Sequence, residues 1–251
     1  MFHVISNSSL GHLDWEPEQH IIDPKTNYII VAGHTSITNK RSMLYAETLA
    51  KMYPSSHIIF NHGVLESKQG LYDRVEKGFD LHVNEFKKTP ANLNFPKGKC
   101  VGDYDFYCTV GWPTIIKENN FQESFFVKFL HKSADQELYI DDQLITTHYP
   151  RWYTLENVIE KSNLEKEKVA EWLSIDQGKP KVLISAMGDQ CSGYVGDSTY
   201  TTFEGIDLTG ITWICDGDQD FIGPYRGAHV ICLPGRDRTR YISEETMNLI
   251  L

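Results

Sequence analysis

The chain has 251 residues, 41% hydrophobic and 12% aromatic, enough to bury a full core as one large α/β domain or two small ones. A formal charge of −10 argues against the broad basic face of a dedicated nucleic-acid binder, though not against a local patch. The cysteines (Cys100, Cys108, Cys191, Cys215, Cys232) are odd in number and lack CxxC spacing, and they read as reduced thiols rather than a disulfide framework or zinc knuckle.

Residues 2–6, Phe-His-Val-Ile-Ser, read as a short first strand running into Asn7-Ser8-Ser9. A polar loop holding Gly11, His12, Asp14 and Pro17 then leads to residues 28–63. There, Tyr28-Ile29-Ile30-Val31-Ala32-Gly33-His34 reads as a buried strand bounded by glycine. A helical run from about residue 42 to 52 places Met43, Ala46 or Glu47, Leu49 or Ala50, and Tyr53 near one face. His57-Ile58-Ile59-Phe60-Asn61-His62-Gly63 is the next strand, which completes a βαβ unit. Polar residues follow both strands, at the sheet edge where open α/β folds take ligands.

Residues 66–85 are polar with scattered apolar positions, and 87–98 read as a Pro/Asn/Lys loop. A strand over 106–113 is stopped by Pro113, a short helix fits 122–130, and 144–147 are strand-like. Thr154 suits the N-cap of one or two helices reaching residue 173. Three clear strands follow, over 181–185, 210–215 and 228–233, the second leading into Asp216-Gly217-Asp218-Gln219-Asp220. Trp112, Trp152, Trp172 and Trp213 lie beside these runs and read as core. No charged-then-apolar leader opens the sequence and no apolar run reaches membrane-spanning length, so the expectation is a cytoplasmic protein with no membrane partner.

The succession of elements resembles the calcineurin-like metallophosphoesterases. That family shows strands followed in turn by Asp-x-His, Gly-Asp, Gly-Asn-His-Glu/Asp, His, and Gly-His-x-His. Val4-Ile5-Ser6-Asn7-Ser8-Ser9 stands where the first motif would be. Ile30-Val31-Ala32-Gly33-His34 looks like the second, and Ile59-Phe60-Asn61-His62-Gly63 like the third. Val182-Leu183-Ile184-Ser185-Ala186 resembles the run into the fourth, and Trp213-Ile214-Cys215-Asp216-Gly217-Asp218-Gln219-Asp220 the fifth. The similarity spans nearly the whole chain. It implies a single domain over residues 1–251 with a four-layer αββα fold, two mixed sheets face to face and helices outside.

In the family, two metal ions are held by the first-motif Asp and His, a bridging Asp, an Asn and the later histidines. The His beside that Asn helps protonate or stabilise the leaving group. Here Asn7 and Ser9 stand in the first motif, His34 replaces the bridging Asp, and Ala186 falls at the fourth-motif His. Asp218 and Asp220 replace the last two histidines, and only Asn61 and His62 match. His12 takes the first-motif His position if the loop carries an insertion. His148 competes with Ala186 for the fourth, although its distance from Gly217 favours Ala186.

A two-metal centre needs an anionic bridge between cations roughly 3.5–4 Å apart. Neutral His34 binds through one nitrogen at a time and supplies no charge against cation repulsion. Asn7 and Ser9 are weak ligands, and Ala186 is none. The expectation is therefore a degenerate, non-catalytic protein with a binding or assembly role and no cofactor. Its partner would be a protein or a phosphate-containing ligand. The competing reading is an active metal-dependent phosphoesterase acting on a nucleotide, nucleic acid or phosphoprotein. In it His34, Asn61, Asp218 and Asp220 hold one Mn, Zn or Mg ion and His62 serves as the acid. Asp216, Asp218 and Asp220 stand in a Gly-containing run, where such residues are most often plain turn residues.

Overall fold

The structure is a computed structural model, and it describes residues 1–5, 22–33, 35, 39–63, 90–115, 139–140, 143–144, 155–186, 188, 200–217, 221–234 and 239–242. Residues 28–60 form the expected βαβ unit: β2 (Tyr28–Val31), α1 (Asn39–Met52) and β3 (His57–Phe60), with β2 and β3 parallel neighbours. They belong to a five-stranded sheet completed by β1 (Phe2–Ile5), β4 (Leu93–Asn94) and β15 (Thr239–Ile242). Its order is β15-β1-β2-β3-β4, parallel except where β15 runs against β1.

A second sheet has six strands. They are β5 (Lys97–Val101), β6 (Tyr104–Thr109), β10 (Lys181–Ser185), β12 (Thr212–Gly217), β13 (Phe221–Tyr225) and β14 (Ala228–Pro234), in the order β13-β14-β12-β10-β6-β5. The inner four are parallel, and the edge strands β13 and β5 are antiparallel to their neighbours. Two short antiparallel pairs stand apart: β7 (Pro113–Ile115) with β11 (Tyr200–Thr202), and β8 (Tyr139–Ile140) with β9 (Gln143–Leu144). The second described helix is α2 (Leu155–Ser174).

Strand periodicity decides which side chains meet. In β2, Tyr28 and Ile30, with Ala32 just beyond, share one core cluster with Phe106 and Cys108 of β6, Val182 and Ile184 of β10, Ile214 of β12 and Ile231 of β14. The alternate residues Ile29 and Val31 instead join Met43, Ala46, Leu49 and Ala50 of α1. Tyr107, Leu183, Trp213, Val230 and Cys232 join Val169 and Trp172 of α2. Because successive residues of a strand point to opposite faces, runs such as Tyr-Ile-Ile-Val and Val-Leu-Ile are apolar throughout when both faces are covered. The chain is thus α/β with two sheets, and apolar residues of the two sheets occupy one cluster.

α1 starts at Asn39, before the expected run, and its buried face also takes in Ser42 and Tyr45. The Asn92 amide closes the helix end, donating to the carbonyls of Ala50 (3.1 Å), Tyr53 (3.0 Å) and Ser56 (3.0 Å). That arrangement satisfies carbonyls which a helix terminus leaves without partners.

Several expectations are corrected. The stretch read as a loop over 87–98 contains β4 and the start of β5, while β13 and β15 were not expected. Cys100, Cys108 and Cys215 are free, but Cys232 is disulfide-bonded, so the cysteines are not all reduced thiols. Trp112, Trp172 and Trp213 are core residues as expected. Trp152, Thr154 and the short helix over 122–130 lie outside the described residues. Among the described residues no helix is long and apolar enough to cross a membrane.

Candidate functional site

The parallel strands of each sheet end in register. Ile5 pairs with Val31 and Val31 with Phe60 in the first sheet. Thr109 pairs with Ser185, and Ser185 with Cys215, in the second. Residues just past these ends are therefore delivered to one edge of each sheet.

Asn61 ties the two edges together. Its backbone N–H donates to Val31 O at 2.9 Å, which extends β3 by one residue. Its side-chain Nδ2 donates to Ala32 O at 2.9 Å in the first sheet and to Thr109 O at 2.7 Å in the second. Both amide hydrogens are thereby used, and the two carbonyl acceptors fix which side-chain atom is nitrogen. The remaining atom, Oδ1, is buried without a hydrogen-bond partner. A buried acceptor left unpaired costs about 1–3 kcal/mol.

Gly33 and Ala186 meet at the same place. Ala186 donates its N–H to Thr109 O at 3.2 Å, so one carbonyl serves both Asn61 and Ala186. A β-carbon built on Gly33 would lie 2.6 Å from Ala186 Cβ, and Gly33 has φ +126°. A glycine at position 33 is thus required by close approach and by backbone conformation together. Past the end of β10 only the methyl group of Ala186 stands at this point.

His62 follows Asn61 and is also buried. Burial, assisted by the Lys97 cation, lowers its pKa from 6.5 to about 3. The imidazole is therefore neutral at neutral pH, whereas protonating a leaving group needs the imidazolium. Because the folded value lies below the unfolded one, the unfolded chain takes up the proton first on acidification. Stability from this group is complete above about pH 6.5 and is lost as pH falls towards about 3. Between pH 7 and 5 the loss should be on the order of 2 kcal/mol. Urea midpoints measured at both pH values should converge in His62→Gln. An identical pH dependence in that variant would contradict the assignment.

Thr109 is itself held from α2. One Glu165 oxygen accepts hydrogen bonds from the Thr109 hydroxyl and from Val110 N at 3.0 Å. The other accepts from Gly111 N at 3.1 Å and Trp112 N at 2.8 Å. Ser162, one turn earlier on α2, donates to Trp112 O at 3.3 Å. Burial raises the Glu165 carboxyl above its ordinary range, opposed by the hydrogen bonds from Thr109, Trp112 and Val110 and by Lys97. Sequence reasoning missed Glu165. The available signal was a carboxylate at helical spacing from the buried positions Ser162, Val169 and Trp172.

Of the expected site residues, Asn61 and His62 follow the end of β3 and Ala186 follows the end of β10. Asp216 lies in β12 opposite Leu233 of β14. Asn7, Ser9, His12, His34, His148, Asp218 and Asp220 lie outside the described residues.

No family model and no curated protein matches the chain. Among solved structures, the crystal structure of phosphopantetheinyl hydrolase from Mycobacterium tuberculosis is similar over 93% of this chain and 89% of its own, with a TM-score of 0.56. At 13% identity the likeness is one of fold alone.

Proposed function

We propose that this chain is a metallophosphoesterase-like protein with a four-layer αββα arrangement, retaining its strand-end edge for binding rather than two-metal hydrolysis. The shared cluster between the sheets, with α1 and α2 on their outer faces, supports that layering. The observation that carries the non-catalytic reading is the contact of Ala186 with Gly33. At the position that would carry the fourth-motif histidine there is a methyl group, which has no lone pair to give a metal. The ligand we propose is a phosphate-containing molecule or a protein partner. The solved neighbour is called a phosphopantetheinyl hydrolase, and a phosphate-containing ligand is consistent with that.

One observation favours a second reading, in which the edge holds a single divalent ion. Asn61 directs both amide hydrogens to backbone carbonyls and leaves Oδ1 unpaired. An amide oxygen is a hard donor suited to Mg or Mn. His34, Asp218 and Asp220 would complete the set, with the carboxylates supplying negative charge. A bound ion of this kind would polarise a phosphoryl oxygen.

Thermal unfolding separates the two readings. After chelator treatment, adding Mn or Zn should leave the melting temperature unchanged if the edge has no metal site. An ion at 100 times its dissociation constant stabilises by about 2.7 kcal/mol, a shift of several degrees. A dose-dependent rise that disappears in Asp218→Ala but persists in the exposed control Glu167→Ala would establish the second reading.

A further inference from the structure

Glu165 belongs to α2, outside every motif that the family resemblance uses, yet its carboxylate is clasped by four donors from four consecutive residues, Thr109 to Trp112. Three consecutive backbone N–H groups pointing at one carboxylate form an anion-holding nest, here filled from within the chain. Charge-assisted bonds of this kind are about twice as strong as neutral ones. They fix the segment immediately after β6. The Thr109 carbonyl leaves that segment towards the first sheet and accepts the Asn61 amide at 2.7 Å.

We propose that Glu165 is a positioning residue for Asn61. By holding Thr109 it sets the plane of the Asn61 carboxamide and keeps Oδ1 turned away from the backbone. The route is short and fully occupied: Glu165 carboxylate, Thr109 hydroxyl and Val110 N–H, Thr109 carbonyl, Asn61 Nδ2, with Ala32 O as the second anchor. Neither partner substitutes easily. A glutamine at 165 would present an NH2 group, which cannot accept, to backbone N–H donors. Its better rotamer accepts from Gly111 N and Trp112 N and donates to the Thr109 hydroxyl, which leaves the Val110 N–H against a donor and loosens the turn after β6. Ser162 secures Trp112 at the far end of the turn and does not replace the grip on Thr109. The inference rests on reading Asn61 as the anchor of a binding edge, but its physical content is the orientation of one side chain.

The test observes that side chain directly. In the intact protein, labelled with 15N, the Asn61 NH2 signal is assigned by its loss in Asn61→Leu, and its hydrogen exchange is measured without any ligand. In Glu165→Gln the Asn61 amide should exchange at least about tenfold faster and change shift, as expected when one of its two hydrogen bonds is loosened. Thr109→Val, which removes one donor to Glu165, should give a smaller change in the same direction. Asn92→Ala, which opens the end of α1, serves as the control for lost stability alone, and it should leave the Asn61 signal in place.

Unchanged Asn61 exchange in folded Glu165→Gln overturns the proposal, and so does an equal acceleration in Asn92→Ala. If Glu165→Gln does not fold, Thr109→Val decides: no movement of the Asn61 signal overturns it. Addition of inorganic phosphate or Mn to the same samples tests the binding reading separately. Silence there, with the Glu165 effect present, removes a ligand from the account but leaves the positioning role.

Discussion

Gly33→Ala is expected to destabilise the protein by roughly 2–6 kcal/mol, about 1–3 from overpacking and about 1–3 from the left-handed backbone. The new methyl would stand 2.6 Å from Ala186 Cβ and 3.3 Å from its Cα, at a residue whose φ is +126°. Ala186→Gly should cost little alone, yet in the double variant it should return the overpacking share. The strain in φ would remain. The cycle therefore has a predicted coupling of about 1–3 kcal/mol between two residues far apart in sequence. Urea unfolding of the four proteins gives that value. Simple additivity would show that Gly33 and Ala186 do not meet.

The second large effect lies on the outer face of the six-stranded sheet. Asp105 is fully buried in β6, and its Oδ2 accepts from Trp172 Nε1 at 2.8 Å and Lys181 Nζ at 3.0 Å. Lys181 also donates to Trp172 O at 2.9 Å and Ile175 O at 2.7 Å, its ammonium 4.7 Å from the centre of the Trp172 ring. The cluster fastens the end of α2 to β6 and β10, and so supports the helix that presents Glu165. Lys181→Met strands a buried carboxylate with the indole as its remaining partner, which should cost about 3–5 kcal/mol. Asp105→Asn should cost less, because its amide oxygen still accepts from the indole while Lys181 keeps two carbonyls. The reverse order in urea midpoints would contradict this account of the cluster.

What the sequence revealed follows from how each element is stabilised. β2, β3 and β10 are buried on both faces, so Tyr28-Ile29-Ile30-Val31, Ile58-Ile59-Phe60 and Val182-Leu183-Ile184 announce themselves by composition. β5 and β13 are sheet edges. Lys97 and Lys99 alternate outward in β5, and β13 contains Gly223 and Pro224, so their strand character comes from the neighbour they pair with. The site divides in the same way. Asn61 and His62 could be placed at a strand end because they directly follow the apolar run of β3. Glu165 was not legible, because its role arises only when the end of β6 is brought against α2.

On the proposed reading, this strand-end edge does not carry out two-metal phosphoester hydrolysis. Turnover of bis-p-nitrophenyl phosphate by the purified chain, with Mn supplied in excess, tests it most directly. The expected rate equals the protein-free blank, the same in wild type and His62→Ala. Hydrolysis well above the blank, abolished both by chelator and by His62→Ala, would contradict it.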